Sequence, residues 1–417
     1  MCGINGFTFQ NPELLRKMHA STRHRGPDDE GFFESPGISL AHNRLSIIDL
    51  SPAGHQPMSS LDGRFTIVFN GEIYNYKEIR SELEALGEKF RSQSDTEVLL
   101  LAFARWGEGS FKKLNGIFAF AIWDRDKEAL TLVRDQIGVK PLYYFYDGKR
   151  LMFSSEMKAL LVHDIPREID QDSLNVYFRF LYVPGSRTMI KVIKKLEPGS
   201  VMNFQNGQLS IRRWWTLQEG EYLTDREDAV EKIRQATKEA VRRQLVSDRP
   251  LGVFLSGGID SSCILGIMSE ISSGPIKTFS VGYESDVQSE RYNADATLAA
   301  KTAKYFGSEH HAFTLTAKDS IATLEKIAWH MDEPISNHIQ SSTYLLAQYA
   351  KPYITVALGG DGGDELFGGY PRYWYSAFID RVRSLPIPFR NAILSFNPKF
   401  LTEQGLDRFI SFMMQKE

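Results

Sequence analysis

Only two cysteines, Cys2 and Cys263, occur in 417 residues. They are too few and too far apart for a disulfide framework, and no Cys/His spacing resembles a zinc site. Long apolar runs are missing as well. The first thirty residues carry Glu13, Arg16, Lys17, Arg23 and Arg25 in place of an apolar leader, so no membrane contact is expected and the cytoplasm is the expected compartment. A basic excess is absent: 49 Lys and Arg stand against 52 Asp and Glu, scattered among one another, which excludes an electrostatic footprint for nucleic acid. There is no repeat and no low-complexity tract. The length and the 42% apolar content suffice for two or three domains with their own cores.

The first half holds short β-type runs between turn residues, at Phe65 to Phe69, Phe118 to Trp123, Leu130 to Arg134, Leu142 to Tyr146 and Leu151 to Phe153. Helical stretches at Pro12 to Thr22 and Tyr76 to Leu86 interrupt them. A third is expected after Ser94 or Asp95, either of which can cap the apolar run Val98 to Ala104. This mixture fits an α+β layered domain. Asn206-Gly207 reads as a hairpin turn, and a charged amphipathic helix follows at Asp225 to Leu245, which puts a domain boundary near 210 to 225. Beyond it the rhythm is strand, Gly-rich turn, helix, strand: Leu251 to Leu255, Ser256 to Ser262, Ile264 to Ile271, Lys277 to Tyr283. Helices near Asn293 to Tyr305, Lys318 to His330 and Ser341 to Ala350 alternate with strands His311 to Leu315 and Ile354 to Leu358. Such alternation predicts a parallel sheet that binds ligand at the carboxyl ends of its strands. His310-His311 is read as a polar pair on a strand edge rather than a metal site, and Cys263 as a packed helix residue.

Cys2 directly follows the initiator methionine. Removal of Met1 would make it both thiol nucleophile and chain terminus, with an α-amino group of pKa about 7.7 to 8.0 able to accept the thiol proton. Two later segments point to a nucleotide. The strand Leu251 to Leu255 runs into Ser256-Gly257-Gly258-Ile259-Asp260-Ser261-Ser262, where small residues and a helix N-terminus can close around phosphate. It is no Walker A loop, since Gly-Lys-Ser/Thr is missing. Asp260 among phosphate donors requires a bridging cation such as Mg²⁺. Gly359-Gly360-Asp361-Gly362-Gly363-Asp364-Glu365 follows another strand, its glycines allowing close ligand approach and its acids able to hold Mg²⁺ or act as a base.

Ser256 to Ser262 matches the pyrophosphatase-type (PP-loop) turn of adenylating enzymes. With the N-terminal Cys-Gly-Ile, the whole chain resembles the glutamine-hydrolysing asparagine synthetase family. The resemblance also rests on Arg25-Gly26-Pro27-Asp28, Asn43 to Asp49, Asn70-Gly71-Glu72-Ile73-Tyr74-Asn75, Ser94-Asp95-Thr96-Glu97, and Arg134-Asp135 through Leu142-Tyr143-Tyr144. It implies an Ntn-type αββα sandwich at residues 2–215, a class II glutamine amidotransferase domain. An α/β parallel-sheet domain of the adenine nucleotide α-hydrolase-like kind is implied at 225–417. In the first, Cys2 would attack glutamine with Asn70 and Gly71 as oxyanion hole. Arg44 would take the α-carboxylate, Glu72 and Asp95 the ammonium, and Leu45, Ser46, Ile47 and Ile48 would complete the glutamine site. In the second, Leu255, Val281, Gly359 and Gly360 would contact ATP, with Ser256, Gly257, Gly258, Asp260, Ser261 and Ser262 around its pyrophosphate and Mg²⁺ on Asp260 and Asp364. Asp361 stands where the family carries a catalytic glutamate.

The implied reaction converts aspartate and ATP into β-aspartyl-AMP, which ammonia from glutamine turns into asparagine. Two other readings stay open: amidation of another carboxylate such as a uronic acid, suggested by Asp332 to Asn337, and a glutaminase without a working synthetase. A homodimer is compatible with the resemblance. The family's later Lys-Val-Asp-Arg-like and Arg-Pro-Phe-Leu-Asp-like segments are not in this chain, so its synthetase domain is expected to be incomplete. Leu401 to Met414 is expected to form an amphipathic helix.

Overall fold

The computed structural model describes residues 1–220, 222–284, 293–337, 339–371 and separate positions between 373 and 389; the expected helix Leu401 to Met414 lies outside them. In chain order the strands of the first part are β1 (Gly3–Phe7), β2 (Asp29–Ser35), β3 (Ile38–Arg44), β4 (Met58–Ser59), β5 (Phe65–Ile73), β6 (Gly116–Asp124), β7 (Ala129–Arg134), β8 (Tyr143–Tyr146), β9 (Leu151–Ser154), β10 (Lys194–Lys195), β11 (Ser200–Gln205) and β12 (Gln208–Arg213). They form two antiparallel sheets, ordered β10-β8-β9-β1-β3-β2 and β12-β11-β7-β6-β5-β4.

The period of two in each strand decides which layer a side chain joins. Ile4, Ile38 and Leu40 of one sheet meet Val68, Ala119, Ala121 and Leu132 of the other in a core between the sheets. The alternate residues Phe7 and Ala41 face outward onto Leu15 and Met18 of α1 (Pro12–Ser21). On the far side, Ile67, Phe69 and Ile73 pack against α2 (Tyr76–Ala85) and α3 (Asp95–Trp106). The result is a four-layer αββα sandwich. Ser94 is the N-cap of α3, its Oγ accepting from Glu97 N at 3.3 Å. Asn206 and Gly207, both at positive φ, make the two-residue turn between β11 and β12.

Two short helices close this part, α4 (Met157–Leu160) and α5 (Gln171–Phe180), and α6 (Arg226–Gln244) leads into the second. There β13 (Leu251–Phe254), β14 (Lys277–Tyr283), β15 (Glu309–Leu315) and β16 (Val356–Leu358) form a parallel sheet in the order β15-β14-β13-β16. It is joined by α7 (Ile259–Ile271), α8 (Ala294–Tyr305), α9 (Ala317–Met331) and α10 (Gln340–Ala350), and a short α11 (Gly363–Phe367) follows β16. Because β13 and β16 are neighbours, the loops after them lie side by side at the carboxyl edge. His310 lies on the edge strand with both ring nitrogens matched, at 2.9 Å to Thr278 and 3.1 Å to Ser280. The expectation for Cys263 fails: it is exposed. Ser261, Leu265 and Met268 form the buried face of α7, and Cys263 falls on the opposite side of the helix.

The two parts are tied at two places. Asp248 accepts from Asp49 N at 2.8 Å and donates its own N–H to Ile47 O, while Arg249 reaches Ser46 O at 3.0 Å. Elsewhere Lys158 bridges Glu156 at 2.6 Å and Asp332 at 2.8 Å, and Glu333 pairs with Lys195.

Candidate active site

The period that builds the inter-sheet core also builds a pocket at its end. Cys2 shares a face with Ile4, Arg44 with His42 and Leu40, and Asn70 and Glu72 with Val68, so two facing sheets deliver these side chains to one cavity of about 260 Å³. Of the residues expected to bind glutamine, Cys2, Arg44, Leu45, Ile47, Ile48, Asn70, Gly71, Glu72 and Asp95 line it; Ser46 does not, its N–H bound to Asp28 and its carbonyl to Arg249. Met1, Gln56, Tyr74, Thr96 and Lys140 also line the cavity and were not singled out from the sequence.

Strand alternation explains what the pocket offers. Just past β5 the Tyr74 N–H reaches Asn115 O, the residue before β6, which fixes the alternation: the backbone groups of Glu72 and Asn70 point to β6, and those of Phe69, Gly71 and Ile73 point the other way. On that side β4 pairs only with Thr66 and Ile67. Ile73 N–H donates to Asp95 Oδ2 at 3.0 Å and Phe69 N–H to Gln56 Oε1 at 2.7 Å. Between them the Gly71 N–H has no acceptor among the described residues. A Cβ on Gly71 would collide with Ile117 O and come within 2.7 Å of Phe118 Cα, so β6 can approach this closely only because a glycine is there. The Asn70 side chain is fully buried, and neither its nitrogen nor its oxygen has a partner among the described residues. Two unspent donors beside a thiol are what an oxyanion requires.

The charges fit a zwitterion. Burial pushes the Asp95 carboxyl up to about 7 and also raises Glu72, against the pull of Lys140. Burial likewise lowers the Lys140 ammonium, with Glu72 pulling it back up. The Arg44 guanidinium donates to the carbonyls of Ile48, Asp49 and Ser51, so it fastens the 48–51 loop; no carboxylate among the described residues forms a salt bridge with it, and its charge remains available. Cys2 Sγ lies 3.4 Å from Leu45 N, and burial raises its thiol, opposed first by the nearby amine. The amine of Met1 is itself lowered by burial to about 6, so this pocket keeps a chain-terminal amine in its neutral, proton-accepting form.

A second cavity, of about 610 Å³, opens at the carboxyl edge of the parallel sheet. Leu255, Ser256, Gly258, Asp260, Ser261, Val281, Gly359, Gly360, Asp361 and Asp364 line it, whereas Gly257 and Ser262, also expected there, do not. Gly257 has φ of +80°, and a Cβ there would lie 2.5 Å from Asp295 O. Gly360 likewise lets its loop close on Asp260 and Ser261 N, 2.8 and 2.9 Å from where a Cβ would be. Asp295 and Glu365 join the three expected aspartates on the wall, and among the described residues no Lys or Arg does. A polyanion enters such a wall only with a cation, so the donor set fits Mg²⁺ shared with phosphate oxygens. Among the described residues no three His, Cys, Asp or Glu side chains converge to hold a metal alone.

Residues 1–215 match the family model of a glutamine amidotransferase domain, and residues 232–416 that of asparagine synthase. The putative glutamine-hydrolysing asparagine synthetase 2 of Methanocaldococcus jannaschii is 35% identical over 93% of this chain and 79% of its own. The chain belongs to the glutamine-hydrolysing asparagine synthetase family. Other relatives are asparagine synthetase 1 of Bacillus subtilis, 39% identical over 94% of this chain, and asparagine synthetase B of Escherichia coli, 33% identical over 86%. This family member spans 63% and 61% of the length of those two relatives. Its two cavities share a wall: Thr355, Val356, Ala357 and Leu358 line the first, and the next residues, Gly359 and Gly360, line the second. A third cavity of about 350 Å³ touches Met1, Leu45, Thr355 and Ala357 on one side and Phe254 on the other. No helix of the described residues is long and apolar enough to cross a membrane.

Proposed function

We propose that this chain hydrolyses glutamine at Cys2 and uses the ammonia, with ATP, to amidate aspartate. The observation that carries the reading is the unspent donor pair, Gly71 N–H and the Asn70 amide, beside the thiol in a pocket whose charges match a zwitterionic amide. Removal of Met1 places the terminal amine on Cys2 itself. The amine takes the thiol proton, sulfur attacks the amide carbon of glutamine, and the carbonyl oxygen gains its charge against Asn70 and Gly71. Collapse breaks the C–N bond, the amine returns the proton to the departing ammonia, and water releases glutamate from the thioester. Arg44 takes the α-carboxylate, and Glu72 and Asp95 the α-ammonium, the latter lowering the cost of the two buried carboxylates.

In the second cavity, Ser256 to Ser262 at the N-terminus of α7 and Gly359 to Gly360 would hold ATP, with Asp260 and Asp364 holding Mg²⁺. Bound there, the cation neutralises the departing pyrophosphate. The aspartate side-chain carboxylate attacks the α-phosphorus, giving β-aspartyl-AMP and pyrophosphate, and ammonia then displaces AMP to give asparagine. Asp361, which lines this cavity just beyond β16, would accept the proton that ammonia loses. The shared wall of β16 supports direct passage of ammonia between the sites.

Two measurements test this. Cys2→Ala should abolish glutamate release from glutamine while ammonia-dependent synthesis persists; glutamine hydrolysis by the variant overturns the assignment. ATP–pyrophosphate exchange should depend on aspartate. Exchange driven by a uronate instead would reassign the acceptor, and none with any carboxylate would leave a glutaminase alone.

A further inference from the structure

We infer that His42 and Gln56 are positioning residues for the oxyanion hole, acting together as a surrogate strand that fixes the β5 edge at Phe69. The inference rests on the glutaminase reading above and extends it to two side chains whose hydrogen bonds go to the protein: His42 to Phe69, and Gln56, on the cavity wall, to Phe69 and Thr96.

The argument begins where β4 stops. It pairs with β5 at Thr66 and Ile67, which leaves the next outward-facing residue, Phe69, without a strand partner for either its N–H or its C=O. Unpaired backbone groups in a buried position are costly, by about the penalty of a lost hydrogen bond each. Here two side chains from different places supply both halves of the missing ladder step. Gln56 Oε1 accepts from Phe69 N at 2.7 Å, and His42 Nε2 lies 3.0 Å from Phe69 O. Facing a carbonyl, Nε2 must carry the hydrogen, so His42 is the donor. Burial drives the His42 imidazolium down to about 3, so the ring is neutral at working pH and the Phe69 carbonyl selects the tautomer. Both residues are almost wholly buried, and His42 crosses from β3 in one sheet to β5 in the other. Gln56 extends the clamp: its Nε2 donates to Thr96 Oγ1 at 3.1 Å, and Thr96 adjoins Asp95, the acceptor for Ile73 N–H. The edge is therefore pinned at Phe69 and at Ile73, on either side of the Gly71 N–H. The unpartnered Asn70 amide cannot locate itself by its own hydrogen bonds, so its aim follows the backbone that this clamp holds.

Such a role predicts loss of transition-state stabilisation with ground-state binding kept. In the full chain, His42→Leu and the volume-conserving Gln56→Met should lower kcat for glutamine hydrolysis about 10- to 100-fold at nearly constant KM, a part of what deleting an oxyanion donor costs. Alkylation of Cys2 by iodoacetamide needs no oxyanion hole and should keep its wild-type rate. It is read by mass spectrometry on the N-terminal peptide, because the exposed Cys263 is the other thiol. His42→Gln, which retains a donor, should recover part of kcat. If His42→Leu does not fold, Gln56→Met carries the same readout. Unchanged kcat, a rise in KM with kcat held, or alkylation falling in step with kcat would each overturn the inference. A wild-type chain inert towards glutamine would instead overturn the functional reading beneath it.

Discussion

Asn70→Ala separates function from stability more sharply than any other substitution in the pocket. Its amide is fully buried, with nitrogen and oxygen unpartnered among the described residues. If the nitrogen serves the oxyanion, truncation should remove about 2.7 to 4 kcal/mol of transition-state stabilisation, a fall in kcat of about 10²- to 10³-fold. The effect on folding runs the other way. A buried polar group without a partner costs about 1 to 3 kcal/mol, and the substitution relieves that cost while giving up modest packing. Global stability should therefore stay within about 1 kcal/mol of wild type or rise. Glutamate release gives kcat and KM, and urea unfolding with unchanged slope gives stability. Two results would refute the reasoning. A kcat within threefold of wild type removes the oxyanion role, and a stability loss above about 2 kcal/mol shows that the amide is a structural strut.

Asp95→Asn tests the buried charge. The folded carboxyl titrates near 7, above its ordinary 3.8, so between those values the folded state binds more protons and wild-type stability falls as pH rises, by on the order of 4 kcal/mol across the window. The variant keeps an acceptor for Ile73 N–H and should lose that slope, becoming the more stable protein above pH 7 while its KM for glutamine rises; parallel stability curves would contradict this. Lys158→Met leaves Asp332 buried without a cation beside Glu156, which keeps Arg25, and it should cost about 3 to 5 kcal/mol at neutral pH, less in acid where Asp332, its carboxyl raised by burial, protonates. Denaturant midpoints at pH 5 and 8 decide it, an equal or smaller loss at pH 8 counting against the bridge.

What could be read along the chain was what is local in sequence. The Ser94 cap, the Asn206-Gly207 turn and the strand-turn-helix at Ser256 each need only a few consecutive residues, and each stands in the structure where the residues put it. Lys140 was invisible for the opposite reason. Nothing in its surroundings along the chain says that a loop between β7 and β8 will carry it into a pocket built by β1, β3 and β5. Arg44 was legible as a pocket cation but not as the residue that also fastens the 48–51 loop, because its carbonyl partners carry no side-chain signal. For Cys263, helix phase was sufficient: Ser261, Leu265 and Met268 set the buried face of α7, and a residue two positions from Ser261 falls on the solvent side whatever its side-chain type.

His42 and Gln56 show where such reading ends. Each is an ordinary polar residue near a motif, and its role exists only because β4 is two residues long. Continued in its register, β4 would bring Gln56 opposite Phe69 and Gly54 opposite Gly71, so a strand long enough to cover both would satisfy Phe69 through the backbone, make both side chains redundant, and consume the Gly71 N–H on which the proposed oxyanion hole depends. The short strand and its side-chain substitutes are thus two halves of one solution. The edge must be left open at Gly71 to be reactive, and it must be held at Phe69 and Ile73 to stay aimed while open.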